Sequence, residues 1–337
     1  MVANLSIFNN IKQLISQKPE KFDYAFDNVL GTVLDLVVVA TKKDAELARE
    51  QALSEIDRLE KVYNRFDKSS ELNRYLDLDI GDYEVSADLF WLFLAAEYWQ
   101  DISLGAFNPA VDELSLLWSG AQKKNKLPSQ DEILERLEPV QSPSFELDLG
   151  QNKLRKLSKV KLNFNAIAKG HIVERACHAA FDSAKVEQLV VNIGGDIRHM
   201  SRDNDQAMVV GVSNPFKAAD NQEPEIHLKI SNQAIATSGS AERGYKIAGK
   251  WYSHVIDPRT GWPIENMLST TVIAPDCATA DVLATAFNVL EPEQSIEIAN
   301  KLNNVSCYIV TKSGQRFSNE CLKAHIVPIE RINNGNK

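Results

Sequence analysis

VLGTVLDLVVVA, residues 29–40, is an almost unbroken run of apolar residues, and such a run predicts a buried β-strand. The residues after it repeat small and apolar side chains at spacings of three and four, which is typical of one face of an α-helix. That face consists of Ala45, Ala48, Ala52, Ile56, Leu59 and Tyr63. A strand followed by a helix therefore opens the body of the protein.

The rest of the chain carries many strand patterns and several helix patterns, and the two do not alternate strictly. Strands are predicted as a short pair within 145–163, as an apolar strand in VEQLVVNIGGDIRHM (186–200) that ends in two glycines, and at 207–213, 226–236, 251–257 and 268–274. Helices are predicted from the cap Ser86 to the stop Gly105, and at 167–184, 278–290 and 292–302. Residues 119–143 are polar and contain proline, so they are expected to form a surface excursion. This order favours an α+β fold over a doubly wound sheet.

The chain is expected to divide into a leading segment, one functional body and a tail. Leu5, Phe8, Ile11 and Ile15 fall near helical spacing. Since QKPEKF follows them with a proline and mixed charges, residues 1–25 are expected to be a helical segment and a connector. The body then spans 26–325, and 326–337 form the tail.

The composition narrows the classes of partner. Hydrophobic residues make up 44% and charged residues 25% of the chain, as in globular proteins with a packed core. The 37 basic and 46 acidic residues give a formal net charge of −9, which opposes general binding to nucleic acid or to an anionic membrane. An anionic ligand must therefore be held by local features.

The cysteines and the amino terminus indicate the expected compartment. Cys177, Cys277, Cys307 and Cys321 contain no C-x-x-C pair, so buried thiols are expected rather than a disulfide framework or a zinc site. The first residues lack a basic opening followed by an apolar run, so neither a signal peptide nor a transmembrane segment is predicted. The chain as written is expected to be cytoplasmic, and periplasmic if an export signal precedes it in the native protein.

Asp281 and Thr285 are four residues apart in the helical pattern CATADVLATAFNVL. Their side chains would project from the same helix face, and a carboxylate with a hydroxyl can converge on one hard cation such as Mg²⁺. The alternative is structural, because an Asp near a helix start complements the helix dipole and a mid-helix Thr bonds its own backbone.

Two further patterns contain polar groups at turns. SHVIDPRTGWP, residues 253–263, places His254, Asp257, Arg259 and Thr260 around a rigid corner. NIGGDIR (192–198) and ATSGSAERG (236–244) place small residues after apolar runs, where backbone amides can approach a phosphate closely. Each pattern is also compatible with an ordinary capped or tight turn, and neither glycine run matches a dinucleotide or Walker fingerprint.

Laid end to end, these segments resemble the ApbE family, the FAD:protein FMN transferases, over about residues 28–320. The matching pieces are NVLGTVLDL (28–36), YNRFDKSSELNRY (63–75), GAFNPAV (105–111), LNFNAIAKGHIVERA (162–176), VNIGGDIR (191–198), AIATSGSAERGY (234–245), YSHVIDPRTGWP (252–263) and APDCATADVLATAF (274–287). The resemblance implies a two-lobed α+β fold whose mixed or antiparallel sheets are flanked by helices.

The resemblance also implies ligands and site residues. Asp281, Thr285 and the main-chain carbonyl of Ala166 would hold Mg²⁺, and His254 would handle a proton or contact phosphate. The residues implied to border FAD are Ser70, Glu71, Asn73, Ala106, Phe107, Lys169, Gly194, Gly195, Thr237, Ser238, Gly239, His254 and Asp257. The chain departs from the usual family pattern at Asn108, Asn165 and Ser240-Ala241, and no departure removes an implied metal ligand.

The implied reaction is attack of a Ser or Thr hydroxyl on the FMN-side phosphorus of FAD, with AMP leaving. Acceptors of this family resemble a short Asp-containing motif that ends in Ser/Thr-Gly-Ala-Thr/Ser, and this chain contains no such run. The expected partner is therefore a separate flavoprotein. Two alternatives stay open: a Mg²⁺-dependent FAD pyrophosphatase that gives FMN and AMP, and a flavin-binding protein without turnover.

Overall fold

The computed structural model describes residues 18–217, 223–239 and 243–328, and these residues form fifteen strands and eight α-helices. The strands are β1 (Glu20–Val29), β2 (Thr32–Ala40), β3 (Gly81–Glu84), β4 (Phe145–Asp148), β5 (Lys153–Lys156), β6 (Val186–Ile193), β7 (Asp196–Ser201), β8 (Met208–Val212), β9 (Ile226–Ile230), β10 (Ala234–Gly239), β11 (Gly244–Ile247), β12 (Lys250–Ser253), β13 (Met267–Ala274), β14 (Ser306–Thr311) and β15 (Arg316–Ser318). The helices are α1 (Lys42–Tyr63), α2 (Glu71–Leu76), α3 (Ala87–Ile102), α4 (Asp112–Lys124), α5 (Gln130–Gln141), α6 (Asn165–Ser183), α7 (Cys277–Val289) and α8 (Pro292–Lys301).

One eight-stranded sheet organises the fold, in the order β1-β2-β6-β7-β10-β13-β14-β15. Its pairings are all antiparallel, and so are those of the three small sheets β3-β5-β4, β8-β9 and β11-β12. The predicted α+β class is therefore confirmed, and of the two expected sheet types the described residues form the antiparallel one.

The large sheet is covered on both faces. Helices α1, α6 and α7 pack on one face over the main core, whereas β8, β9 and Leu322 enclose a smaller core on the other. Side chains of β10 alternate between them, since Ala234 and Ala236 face the main core and Ile235 faces the small one. Strand β13 is buried at every residue for the same reason. No helix among the described residues has the length and apolar character needed to cross a membrane.

The first strand corrects the prediction for the amino-terminal connector. Residues 20–25 belong to β1, which pairs with β2 from Glu20 opposite Ala40 to Phe26 opposite Leu34. Phe22, Tyr24 and Phe26 alternate with exposed residues and pack against the main core, a period of two that the proline and charges obscured. Residues 20–25 therefore belong to the body, and the predicted helix at residues 5–15 lies outside the described part of the chain.

The carboxyl end departs slightly from the predicted tail. Ile326 forms a bridge with Leu228, and the Val327 amide donates to the His227 carbonyl at 2.9 Å. These two residues are thus attached to β9, whereas residues 329–337 lie outside the described ranges.

The helix predictions at both ends of the body are confirmed. In α1, every residue of the predicted apolar face is buried, and the Thr41 hydroxyl caps the helix by accepting from the Asp44 amide. Ser86 caps α3, and Gly105 lies just beyond its end at φ +77°. Helices α6, α7 and α8 also lie where helical patterns were predicted.

Residues 119–143 are wrongly predicted as a surface excursion. They include the end of α4 and all of α5, and their buried residues Ile133, Leu137 and Val140 fall at helical spacing. Just before this stretch, Trp118 of α4 is buried and its Nε1 donates to the Gly261 carbonyl at 2.9 Å. Polar side chains on the outer faces of the helices and Pro139 in the last turn of α5 hid this pattern.

Helices α6 and α7 cross at Gly170. A Cβ atom built at Gly170 would lie 2.4 Å from the Cys277 carbonyl oxygen and 2.8 Å from the Asp281 Cβ atom. Such distances are shorter than van der Waals contact, so the two helices can approach this closely only because residue 170 has no side chain.

We therefore expect Gly170→Ala to lower the free energy of unfolding by about 1–3 kcal/mol, because the added methyl group must push the two helices apart. Gly120→Ala is the matched control: Gly120 lies inside α4, and a Cβ atom there meets nothing within 4 Å. Since Ala is the better helix former, the control should raise the free energy of unfolding by about 0.5–1 kcal/mol. Urea denaturation of both variants measures the difference, and equal stabilities would contradict the close crossing.

Candidate functional site

The crossing of α6 and α7 buries Asp281, whose exposed fraction is 7%. Its Oδ2 atom accepts a hydrogen bond from the Gly170 amide at 3.0 Å. Further along α6, Glu174 Oε2 accepts from the amide of Cys277, which lies before Asp281 on α7. Contacts thus run forward along one helix and backward along the other, so the helices are antiparallel.

The antiparallel arrangement brings the three predicted metal ligands to one end of the crossing. Ala166 lies one turn before Gly170 on α6, and Thr285 lies one turn after Asp281 on α7, so both extend from the contact in the same direction. In a regular α-helix the carbonyl of residue 166 points along the axis toward the amide of residue 170, so the Ala166 carbonyl faces the contact between Gly170 and Asp281.

The donor set suits a hard divalent cation. A carboxylate, a hydroxyl and a backbone carbonyl are all oxygen ligands, which Mg²⁺ prefers. The described residues contain no group of three or more His, Cys, Asp or Glu side chains that could hold a metal. The predicted set contains only one such side chain, Asp281, so it belongs to a different kind of site.

Lys169 lies between two buried carboxylates. Its ammonium group forms an ion pair with Asp196, which is 1% exposed at the start of β7. Burial alone would lower the pKa of Lys169, but the carboxylates of Asp281 and Asp196 outweigh it and the pKa is raised. Burial, and after it the charge of Asp196, raise the pKa of Asp281 well above its usual range. With two acids and one ammonium, the cluster would be stabilised in its ionised form by a further cation.

A cavity of about 540 Å³ lies beside this cluster, a volume typical of small-molecule sites. Two of the predicted binding residues, Lys169 and Gly194, are in its wall. The wall is completed by Leu30, Gly31, Thr32, Glu60, Tyr63, Asn64, Arg65, Phe66, Asn165, Ala168, Ile172 and Arg243. The cavity therefore spans the end of the β1-β2 hairpin, the end of α1 and the first half of α6.

The predicted residues of the SSELN stretch support one side of the cavity instead of lining it. Asn73 Nδ2 donates to the carbonyls of Asn64, Arg65 and Asp67 at 2.7–3.1 Å and thereby fixes the loop after α1. That loop presents Phe66, a residue of the cavity wall that is 82% exposed.

The two other predicted residues of this stretch make local structural bonds. The Ser70 hydroxyl caps α2 by accepting from the Asn73 amide at 3.1 Å. Glu71 Oε1 accepts from the Ser86 amide at 2.6 Å and so ties α2 to the start of α3. Their side chains therefore hold α2, the helix that carries Asn73.

Ala106 and Phe107 are buried at 3% and 4% exposure, and the Phe107 amide donates to the Ser103 hydroxyl at 2.9 Å. Gly105, just before them, approaches Arg259 of the corner at 253–263. The predicted GAFNP residues thus lie in the core behind that corner and outside the cavity wall.

The glycine pair 194–195 forms the turn between β6 and β7. Gly194 has φ +58°, and a Cβ atom there would lie 2.7 Å from Thr32 Cγ2. Gly195, at φ +94°, donates its amide to the Asn192 side chain at 3.0 Å. The turn thus requires glycine at residue 194 for both backbone conformation and space, and it places Asp196 directly beneath the cavity wall.

The end of β10 is held by residues of β13 and α7. The Thr237 hydroxyl bonds with that of Thr271 at 2.8 Å, and the Ser238 carbonyl accepts from Asn288 Nδ2 at 2.9 Å. Asn288 is fully buried and lies seven residues after Asp281, on the same face of α7. Thr237, Ser238 and the exposed Gly239 are thus fixed relative to the predicted metal ligands, although they are outside the cavity wall.

His254 is half-buried next to the cavity residue Arg243. Both its backbone amide and its Nδ1 atom bond to the Arg243 carbonyl, at 3.1 and 3.0 Å. Because a carbonyl only accepts, Nδ1 carries the proton in the neutral ring and Nε2 is left with the lone pair. Burial lowers the pKa of His254, which favours this neutral form at pH 7.

Asp257 is engaged within its own turn. Its carboxylate accepts from the amide and the guanidinium of Arg259, each at 2.9 Å, and its amide donates to the Trp262 carbonyl. The capped-turn interpretation therefore describes its contacts, and its predicted contact with FAD would have to compete with Arg259.

Sequence reasoning did not single out Arg65, Phe66, Asp196, Arg243 or Asn288. Phe66 and Arg65 lie within the quoted segment 63–75, and Asp196 follows the glycine pair, so those two segments contained the signal. Arg243 and Asn288 also lie within quoted segments, ATSGSAERG and CATADVLATAFNVL, but their roles depend on contacts across the fold with His254 and with the end of β10.

Comparisons with known proteins identify the family and the fold of the chain. The sequence profile of the ApbE family matches residues 30–309. An FAD:protein FMN transferase of Haemophilus influenzae is 26% identical over 287 residues, covering 83% of this chain and 82% of that protein. One of Chlamydia trachomatis is 30% identical over 279 residues, covering 79% and 84%. The crystal structure of an ApbE protein from Thermotoga maritima superposes with a TM-score of 0.78 at 27% identity, covering 92% of this chain and all of that one. The chain belongs to the ApbE family.

Proposed function

We propose that this protein transfers FMN from FAD to a Ser or Thr hydroxyl of an acceptor flavoprotein in a Mg²⁺-dependent reaction that releases AMP. The observation that carries the proposal is the α6-α7 crossing, which directs Ala166, Asp281 and Thr285 to one end, beside a cavity that contains Lys169. The names of the curated relatives support the same activity, since both relatives above are called FAD:protein FMN transferases.

In this proposal Asp281, Thr285 and the Ala166 carbonyl hold Mg²⁺. When bound, the ion neutralises phosphate oxygens and stabilises the charge that develops on the departing AMP. Lys169 contributes a fixed positive charge in the cavity wall, and Asp196 holds its ammonium group in place. The carboxylates around Lys169 keep it protonated, since they raise its pKa. The protein thus supplies position and charge, as expected for phosphoryl transfer.

His254 receives the proton of the attacking hydroxyl. The acceptor oxygen forms a bond to the FMN-side phosphorus, the bond from that phosphorus to the bridging oxygen breaks, and AMP leaves with the bridging oxygen. Nε2 is the nitrogen that takes the proton, because Nδ1 already donates to the Arg243 carbonyl. The proton then passes to solvent and restores the neutral ring.

The activity itself is tested by incubation with FAD and Mg²⁺, with and without a peptide that carries the Ser/Thr-Gly-Ala-Thr/Ser run. We expect flavin bound covalently to the peptide and an equal amount of AMP. Neither product should form when EDTA is present from the start. Free FMN and AMP formed at the same rate without the peptide would instead indicate a pyrophosphatase. FAD that is bound but unchanged would indicate a binding protein.

The metal ligand is tested by Asp281→Asn, which keeps an oxygen for the Gly170 amide but removes the charge. We expect Mg²⁺ affinity to fall by at least about 10- to 100-fold, the loss that milder changes around a metal site cause. Calorimetric Mg²⁺ titration measures this, and the Tm without Mg²⁺ should not fall, because a buried charge has been removed. Glu293→Gln, at an exposed position of α8, is the control. Unchanged Mg²⁺ affinity in Asp281→Asn would contradict the site.

The base is tested by the pH dependence of transfer. Since the pKa of His254 is lowered from about 6.5, the rate should rise with pH below that value and be constant above it, where the ring is neutral. His254→Ala should lower the rate by about 10²- to 10⁴-fold and abolish this acid limb.

His325→Ala is a matched control, because its Nδ1 also bonds a backbone carbonyl, that of Lys229 in β9, and neither residue is in the cavity wall. That variant should keep both rate and profile. An acid limb that survives in His254→Ala would assign the proton to another group.

A further inference from the structure

The cavity contains three cationic side chains, and the described residues give partners to two of them. Arg65 Nη2 is paired with Asp112 at 2.8 Å, and Lys169 is paired with Asp196. Arg243 is exposed at the cavity and has no anionic partner in the ranges 18–217, 223–239 and 243–328. An anionic ligand in the cavity would thus supply the partner that the Arg243 guanidinium lacks among these residues.

We propose that Arg243 binds the diphosphate of FAD from the side of the cavity formed by the start of β11, and that His254 fixes Arg243 there. This inference rests on the proposed function and adds a residue that contacts the substrate. A guanidinium presents donors in a planar fork that matches phosphate oxygens, so one arginine can make two parallel bonds. In a chain with a formal net charge of −9, such a local cation is what allows an anion to bind.

The backbone of Arg243 is held before any ligand arrives. Its carbonyl accepts two hydrogen bonds from His254, at 3.1 and 3.0 Å. The next residue, Gly244, pairs with Ser253 across β11 and β12, where an added Cβ atom would lie 2.1 Å from the Tyr252 carbonyl oxygen. Ligand binding therefore has to order only the side chain of Arg243, which limits the entropic cost of the contact.

The same two bonds connect Arg243 with the proposed base. The residue that binds the diphosphate and the residue that accepts the proton are joined at the Arg243 carbonyl, so these two hydrogen bonds limit the distance between them. The substrate phosphorus would thereby be placed relative to His254 Nε2, which is the positioning that phosphoryl transfer requires.

The test is the affinity for FAD and for riboflavin, which has the same ring system without phosphates, measured by flavin fluorescence without acceptor. Arg243→Gln should weaken FAD binding by about 10- to 100-fold, the range for a lost pair of charge-assisted hydrogen bonds. It should leave riboflavin binding unchanged and reduce the salt dependence of FAD binding. Arg243→Lys should recover part of the affinity. Lys246→Gln removes an equal charge from an exposed position of β11 and should match the wild type.

Three results would overturn the inference. Equal losses for FAD and riboflavin would mean that Arg243 maintains the shape of the site without contacting phosphate, and equal losses in Arg243→Gln and Lys246→Gln would mean a general charge effect. Unchanged FAD affinity in Arg243→Gln would remove the contact altogether. If the wild type transfers FMN and Arg243→Gln does so equally well, only this inference is refuted. If the wild type binds no FAD, the proposed function is refuted as well.

Discussion

The close approach of α6 and α7 at Gly170 is the constraint on which the candidate site depends. With no side chain at residue 170, the Cys277 carbonyl and the Asp281 side chain come within a distance that any methyl group would prevent. Asp281 is buried as a result, yet its Oδ2 atom finds the Gly170 amide. Lys169, the residue before Gly170, lies in the cavity wall. One missing side chain thus places a carboxylate, an amide and an ammonium group together.

The ionic cluster at this crossing is better explained by function than by stability. Taking charges out of water costs several kcal/mol for each ion, and a buried ion pair regains this only with very good geometry. Asp196 and Asp281 are two buried acids that share one ammonium, and burial raises the pKa of both. Such perturbed groups beside a cavity are typical of sites where a ligand or an ion completes the charge balance.

The sequence predicted the elements whose signal is local and missed those whose signal is not. The spacing of Asp281 and Thr285 requires only helix geometry, and the apolar face of α1 requires only periodicity. Helix α5 was missed, because its three core residues are separated by charges and a proline. The role of Asn73 could not be predicted for a different reason. Three carbonyls of the preceding loop accept from its side-chain amide, and this depends on how that loop folds back. Arg243 was missed because its importance lies in the lack of an anionic partner among the described residues, a property that only the fold defines.

His254 separates two tasks that acid would affect differently. Its Nδ1 atom donates to the Arg243 carbonyl in the neutral ring, and it remains a donor when the ring is protonated, since both nitrogens of the imidazolium carry hydrogen. Protonation therefore removes the lone pair on Nε2 without breaking the bond that holds Arg243. The capacity to accept a proton is lost in acid, whereas the backbone of Arg243, the residue proposed to bind phosphate, stays fixed. A histidine anchored through one nitrogen can in this way leave substrate binding independent of the ionisation that controls the chemical step.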